Sequence, residues 1–359
     1  MFLTAACAYS NNEDCKLIIN KNNFQGMEFA KENGGFSEII LIDDFNEKFS
    51  SLFVWFRWKQ IYKITKIIKG SKEIFCVSQG RIESGNIGIL AAKITGLKVV
   101  SYIPMVHSHQ EMGGSGVLNK VKDLLCGLLY ALPDVFITIS PAVFSALTKL
   151  SNAKVFVVEN FVQQKIIEDG FNPPERINDD CYKLVIPGRL LNKQKGQLDF
   201  IQAFQEIKNK SKKDIICYIV GDGPDREIIE NEIVKYNLSS SIYVLGNRND
   251  LLNIISCCDL VVLPSRFEGV PLVLLEAAQL NKKIVASDIV GFNDYLSSQY
   301  LFTASDKTSL IKCITANIKN DSELVTYKQE LVDLLKRNEA IYKDEFLDVI
   351  EVIKKEYIV

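Results

Sequence analysis

Only two histidines stand in the 359 residues, no Asp-x-Asp pair occurs, and the charges nearly cancel, 42 Lys and Arg against 44 Asp and Glu. Each scarcity excludes something. A formal net charge of −2 gives no electrostatic reason for a nucleic-acid partner. The absent Asp-x-Asp removes the usual carboxylate pair for a divalent metal. No apolar run reaches the ~18 residues of a membrane span. The opening MFLTAACAYSNNED carries no basic segment ahead of its apolar stretch, so a secretory leader is not expected. Nine cysteines are scattered without metal-ligand spacing, and Cys257 and Cys258 are adjacent, which suits neither a zinc site nor a disulfide framework. Reduced thiols and a cytoplasmic location are expected.

What the chain does have is alternation. Short β-branched runs alternate with helical patterns, as in parallel sheets built from βαβ units. CKLIIN (15–20), SEIILID (37–43), EIFCVS (73–78), KVVSYI (98–103), VFITIS (135–140) and KVFVVEN (154–160) form a first series. KLVIPG (183–188), DIICYIVG (214–221), IYVLG (242–246), DLVVLP (259–264) and KIVAS (283–287) form a second. Between them Pro173, Pro174, Asn178, Asp179 and Asp180 suit a linker. The expectation is an α/β chain of two Rossmann-like parallel-sheet domains facing a cleft. Residues 1–165 form the first, 166–182 the linker and 183–335 the second; 336–359 are expected as a helix crossing back to the first domain.

Three segments of the second series carry candidate chemistry. KLVIPG runs into Gly188, Arg189 and then NKQKG, with Lys193, Lys195 and Gly196. A guanidinium fork and an ammonium both suit phosphate oxygens, although a solvated basic turn reads the same way. Gly221-Asp222-Gly223-Pro224 permits a tight turn, with Pro224 placed to open the next helix. RFEGVPLVLLEA (266–277) sets Glu268 and Glu276 at the two ends of an apolar run. Gly269 permits close backbone approach and Pro271 suits a first helical turn, so a helix is expected from near Val270. Its free amides could receive an anion or sugar hydroxyls. Were the whole stretch helical, the two carboxylates would lie about 12 Å apart.

Taken together, GRLLNKQKG, VGDGP and EGVPLVLLE resemble family 4 of the retaining glycosyltransferases with the GT-B fold, over about 183–305. The resemblance implies that Glu268, the first Glu of an E-x7-E pair, sits by the donor sugar and that Glu276 binds the ribose. Arg189 and Lys195 would hold the donor diphosphate and stabilise it as a leaving group. Gly188, Gly221, Gly223, Gly269 and Val270 would line the donor site. The implied reaction transfers a sugar, with retention, from a nucleotide diphosphate sugar to a glycan or polyprenyl-linked acceptor. Surface polysaccharide assembly is the implied setting. No cofactor is expected, because the positive groups could replace a metal.

In the first domain, YIPMVHSHQEMGGSG (102–116) holds both histidines. The family places one near the reacting carbon; His107 is the nearer to the strand and His109 the alternative. Gly113-Gly114-Ser115-Gly116 could serve the acceptor. The family opens with a strand and glycine-rich loop ahead of a helix. Here MFLTAACAY reads either as the end of that helix or as a divergent strand. SLFVWFRWKQIYKITKIIKGSK (51–72) carries basic residues and no acidic one. Lys59, Lys63 and Lys66 share one helical face, Ile61, Ile64 and Ile68 another. It suits either peripheral contact with the inner face of an anionic membrane or a sheet-covering helix with a solvated side. A non-catalytic or truncated relative, and a nucleotide-sugar epimerase, remain alternatives.

Overall fold

The computed structural model describes residues 1–42, 54–71, 74–80, 82, 84–109, 111–112, 116–162, 171, 173–177, 179–320 and 325–357, the side chains of Trp55 and Leu118 excepted. Outside this set lie Gly113, Gly114 and Ser115 of the glycine segment, residues 163–165 at the end of the expected first domain, 166–170, 172 and 178 of the expected linker, and 51–53 and 72 of the basic stretch. Two compact units result. The first joins Met1–Gln110, Gly114–Asn160 and Glu339–Val359; the second joins Glu111–Gly113 and Phe161–Asn338.

The first unit contains, in chain order, α1 (Phe2–Ser10), β1 (Lys16–Asn20), α2 (Phe24–Asn33), β2 (Glu38–Ile42), α3 (Trp58–Ile68), β3 (Ile74–Ser78), α4 (Asn86–Ile94), β4 (Lys98–Tyr102), α5 (Val117–Leu129), β5 (Val135–Thr138), α6 (Pro141–Leu150) and β6 (Lys154–Val157). FLTAACAY is therefore helical, and the strand reading is set aside. The strands form a parallel pair β1-β2 and a parallel sheet β3-β4-β5-β6. Parallel neighbours need crossover helices. Ile61, Ile64 and Ile68 of α3, Ile87 and Ile89 of α4, Leu129 of α5 and Leu147 of α6 meet Val99 and Phe136 of the sheet in one apolar cluster. Local sequence sets the ends: Ser140 caps α6, its Oγ accepting from the Val143 amide at 3.3 Å, and Pro141 stands in the first turn. The C-terminal helix packs on α1, with the Phe2 and Phe346 rings 6.0 Å apart.

The second unit follows with β7 (Tyr182–Pro187), the single turn α7 (Asn192–Lys195), α8 (Gln197–Lys210), β8 (Ile215–Val220), α9 (Arg226–Lys235), β9 (Ile242–Gly246), α10 (Leu251–Cys257), β10 (Leu260–Leu263), α11 (Leu272–Gln279), β11 (Lys283–Ser287), β12 (Leu301–Phe302), α12 (Lys307–Lys319) and α13 (Gln329–Leu335); the C-terminal helix is α14 (Glu339–Tyr357). All neighbours pair parallel, in the order β12-β11-β10-β7-β8-β9. The chain winds outward from β7 in one direction and, after crossing back, from β10 in the other. Ligands of such sheets bind beyond the carboxyl ends of the strands at this reversal, where Gly188 to Gly196 and Pro264 to Pro271 emerge.

Two helix starts differ from expectation. The helix bearing Glu276 begins at Leu272, not Val270, with Pro271 as an extended N-cap at φ −67° and ψ 125°. The proline ring fixes φ at a value that helix and extended chain share, so ψ stays free. The separation of about 12 Å for a fully helical stretch therefore does not apply. Pro224 does not open α9 either. Asp225 is the N-cap, and its amide donates to the Leu190 carbonyl at 3.1 Å, which holds the chain to the neighbouring loop for longer. The two-residue β12 was not anticipated, being too short to show a period.

Candidate functional site

The loop after β7 and the loop after β10 are built into one body. Gly196 ends α7 at φ 66°, and a Cβ there would come within 2.1 Å of the Pro264 carbonyl oxygen. Only glycine meets both demands. The Arg266 amide donates to the Gln194 carbonyl at 2.7 Å. Its guanidinium ties the loop after β10 to α7, to α8 and to the segment after β12: Nη2 reaches both Asp199 carboxylate oxygens at 2.9 and 2.7 Å, Nη1 the Asn192 carbonyl at 3.1 Å and Nε the Ser305 hydroxyl at 2.8 Å.

This clamp brings Lys195 Nζ to 2.5 Å from Glu268 Oε1. Glu268 is buried and Lys195 about one-fifth exposed by side chain, 21%. Such a pair repays its desolvation only with good geometry. An added Cβ on Gly188 would touch the Lys195 stem at 3.5 Å, so the end of β7 backs that side chain. Arg189, next along, is exposed, and its guanidinium has no partner among the described residues. The two cations expected to act together thus differ, one occupied by Glu268 and one open.

The glycines divide as well. A Cβ on Gly221 would come within 2.1 Å of the Gly188 carbonyl, and one on Gly223 within 2.4 Å of the Leu190 carbonyl. Their amides are committed within the chain, Gly221 to the Gly246 carbonyl and Gly223 to Asp222 Oδ1, and the Gly188 amide goes to Val220. These three glycines let backbones cross closely, and none offers a free amide. By contrast, the amides of Gly269 and Val270, with Leu272 and Val273 at the start of α11, have no acceptor among the described residues. Buried Glu268 precedes them, and half-buried Glu276 follows on α11.

Three neighbours were not singled out from the sequence. Arg266 lies inside the quoted RFEG, but a clamp needs its partner Asp199, remote in the chain. Gln197 is buried and donates from Nε2 to the Arg189 carbonyl at 2.9 Å. Gly291 sits at φ 96°, where a Cβ would come within 1.9 Å of the Gly269 carbonyl; a glycine soon after KIVAS was the available signal. In GNRNDLL (246–252), Arg248 forks Asp250 through contacts of 2.8 and 2.6 Å, and that fork holds the Asp250 carboxyl below its ordinary range.

The histidines belong to the first unit, in the segment after β4. His109 is tied to α5: its amide and its Nδ1 lie 2.6 and 2.8 Å from Asp123 Oδ1. His107 is half-buried in the same segment. Among the described residues, no three His, Cys, Asp or Glu side chains gather as a metal site.

Residues 169–330 match the family described as glycosyl transferases group 1, a segment within the second unit. An uncharacterized glycosyltransferase of Methanocaldococcus jannaschii is 26% identical over 261 residues, 68% of this chain and 63% of that protein. The UDP-Gal:alpha-D-GlcNAc-diphosphoundecaprenol alpha-1,3-galactosyltransferase of Escherichia coli is 34% identical over 126 residues, 34% of this chain and 33% of that protein. Each match thus spans less than two thirds of the relative's own length. Among solved structures, Anabaena HepE in complex with UDP-glucose superposes with a TM-score of 0.71 at 14% identity, covering 98% of this chain and 94% of that one. The fold is GT-B, as the motifs implied.

Proposed function

We propose that this chain is a retaining glycosyltransferase that moves a sugar from a nucleotide diphosphate donor to a glycan or polyprenyl-linked acceptor, in the assembly of a surface polysaccharide. The observation that carries the reading is the Lys195–Glu268 contact of 2.5 Å at the winding reversal of the second sheet. Exposed Arg189 belongs to the same loop as Lys195, and the free amides of Gly269 and Val270 follow Glu268 in the other.

The chemistry follows from charge. As the bond from sugar to diphosphate breaks, negative charge grows on the phosphate oxygens. Fixed cations and amides stabilise that charge without reorganising. Arg189 meets it with a planar fork and Lys195 with a point charge. Donor entry draws Lys195 toward phosphate and frees Glu268 to accept from sugar hydroxyls, while Glu276 accepts from the ribose. His107 approaches the sugar near the reacting carbon. Glu268 starts paired with an ammonium, which suits a binding carboxylate better than a nucleophile. Retention then follows from attack on the face that the diphosphate leaves. The cations take the place of a metal.

The acceptor reading is supported by the Escherichia coli relative, whose name states a diphosphoundecaprenol-linked acceptor. It is also supported by α3 of the 51–72 stretch, where Lys59, Lys63 and Lys66 are exposed beside Trp58 and Tyr62, while Ile61, Ile64 and Ile68 are buried. Such a helix rests on an anionic surface at the inner face of a cell membrane. No helix among the described residues is long and apolar enough to cross one.

Thermal stabilisation by UDP, GDP, ADP and their sugars, with Mg2+ or with EDTA, tests the donor site, since a ligand that binds only the folded state must stabilise it. One nucleotide series should shift the midpoint equally under both conditions. Sugar transfer from that donor to a polyprenyl-diphosphate-linked glycan should follow, with the donor's anomeric configuration kept. No shift with any nucleotide overturns the reading, and donor conversion without an acceptor points to an epimerase.

A further inference from the structure

Helix α5 turns large apolar side chains to solvent. Val117, Val121, Leu124 and Leu128 are 78%, 41%, 75% and 56% exposed. Spacings of four, three and four residues place them on one stripe of a helix with 3.6 residues per turn. On the other side Cys126 and Leu129 are buried in the core of the first unit. A surface helix ordinarily turns polar residues outward, and an exposed apolar stripe marks an interaction surface.

The charges around the stripe identify what it meets. Lys120 is exposed beside it, while Lys122 is half-buried on the side of Cys126 and Leu129. Asp123 is the only acid on the helix, and its Oδ1 is engaged by the His109 amide and ring. The outward face is thus apolar with one lysine, Lys120, at its margin and no acid, which complements an anionic bilayer. α5 has 13 residues. At a rise of ~1.5 Å per residue it is about 20 Å long, short of the ~30 Å hydrocarbon core, so it would lie in the interface plane. A second copy is a poorer occupant, because four such side chains cover a few hundred Å2 against about 800 Å2 per partner in a stable protein pair.

We infer that α5 is a lipid-seated helix. Val117, Val121, Leu124 and Leu128 enter the acyl boundary, and Lys120 meets head-group phosphates. Through Asp123 and His109 the helix also holds the segment after β4 that carries His107. That last link rests on the proposed use of a lipid-linked acceptor; the lipid contact itself does not.

Vesicle flotation tests it, with the full chain mixed with phosphatidylcholine alone or with phosphatidylcholine and phosphatidylglycerol. Wild type should float with the anionic vesicles. Leu124→Glu/Leu128→Glu should lose about tenfold or more in partitioning, and Lys120→Glu a smaller, salt-sensitive part. Val234→Glu, a 64% exposed position on α9, should leave it unchanged. Thermal midpoints near wild type confirm folding of each variant. Equal partitioning of Leu124→Glu/Leu128→Glu and wild type overturns the inference, as does a wild type that ignores anionic vesicles. Sedimentation showing a dimer that this variant dissolves, with flotation intact, assigns the stripe to self-association instead. Because nucleotide binding is measured without vesicles, failure of the donor site is read separately.

Discussion

In the second unit every residue of β8, β10 and β11 is buried, whereas in the first unit β2 and β3 have no buried residue and β1 has only Ile19. Composition does not explain this. β8 reads IICYIV and β3 reads IFCVS, both apolar. What differs is cover. The six strands of the second unit form one sheet enclosed by helices, while the first unit divides its strands into a pair and a four-stranded sheet. Parallel strands are stable when both faces are covered. Stability should therefore be uneven along the chain, highest under the Lys195–Glu268 pair and lowest in β1 to β3. A candidate site that relies on fixed charges lies over the better-covered sheet.

The widest expected difference is in amide hydrogen exchange. Amides of β8 and β10 should exchange only through near-global opening, those of β1 and β2 through local opening cheaper by several kcal/mol. Equal protection in the two sets would remove the contrast. A single methyl should break the stronger side from within: Gly196→Ala places a Cβ at φ 66° against the Pro264 carbonyl. The left-handed conformation alone costs about 1–2 kcal/mol and the backbone clash adds more. Denaturant unfolding should show a midpoint well below wild type, with nucleotide binding lost.

The ion pair sharpens the comparison further. Lys195→Met leaves Glu268 buried without its 2.5 Å partner, at a cost of roughly 1–3 kcal/mol, less than for a fully buried pair because Lys195 is partly exposed. Lys195→Met combined with Glu268→Gln should regain most of that stability and still bind no nucleotide diphosphate. Coupling of this kind, read from a double-mutant cycle, separates a role in folding from a role in binding. Full donor affinity in the double variant would reject both assigned roles.

Sequence alone carried the alternation of strands and helices, the two series and the three candidate segments of the second series, because periodicity and glycine chemistry are local. Lys195 and Glu268 were legible as separate candidates. Their contact was not, since it depends on Arg266 meeting Asp199 across a fold that no local pattern records. Gly221 and Gly223 show the opposite limit: a glycine turn was legible, yet whether its amides face a ligand or the chain was not. The exposure of β3 likewise escaped, because an apolar strand reads the same whether helices cover it or not. The stripe on α5 escaped for that reason too, since apolar residues on both sides of a helix look like core.

The smallest expected effect compares a surface pair in each unit. Asp214 accepts from Arg176 Nη2 at 3.0 Å and lies 3.2 Å from Lys208 Nζ, with 46% of its side chain exposed. Its hydrogen bond to the Arg176 guanidinium, helped by Lys208, holds the carboxyl below its usual value against a modest burial penalty. A depressed folded value means that the stabilisation is complete above the unfolded value of about 3.9 and is lost as pH falls through the folded one. Asp214→Asn should therefore cost a few tenths to about 1 kcal/mol at neutral pH, as expected of a solvent-screened pair. Its difference from wild type should vanish in acid. Across β1 and β2, Lys16 and Glu38 make a pair of similar length, 2.8 Å, with both side chains more than half exposed, and Glu38→Gln should leave the unfolding curve unchanged. A gap between Asp214→Asn and wild type that persists below pH ~2 would assign the effect to packing rather than charge.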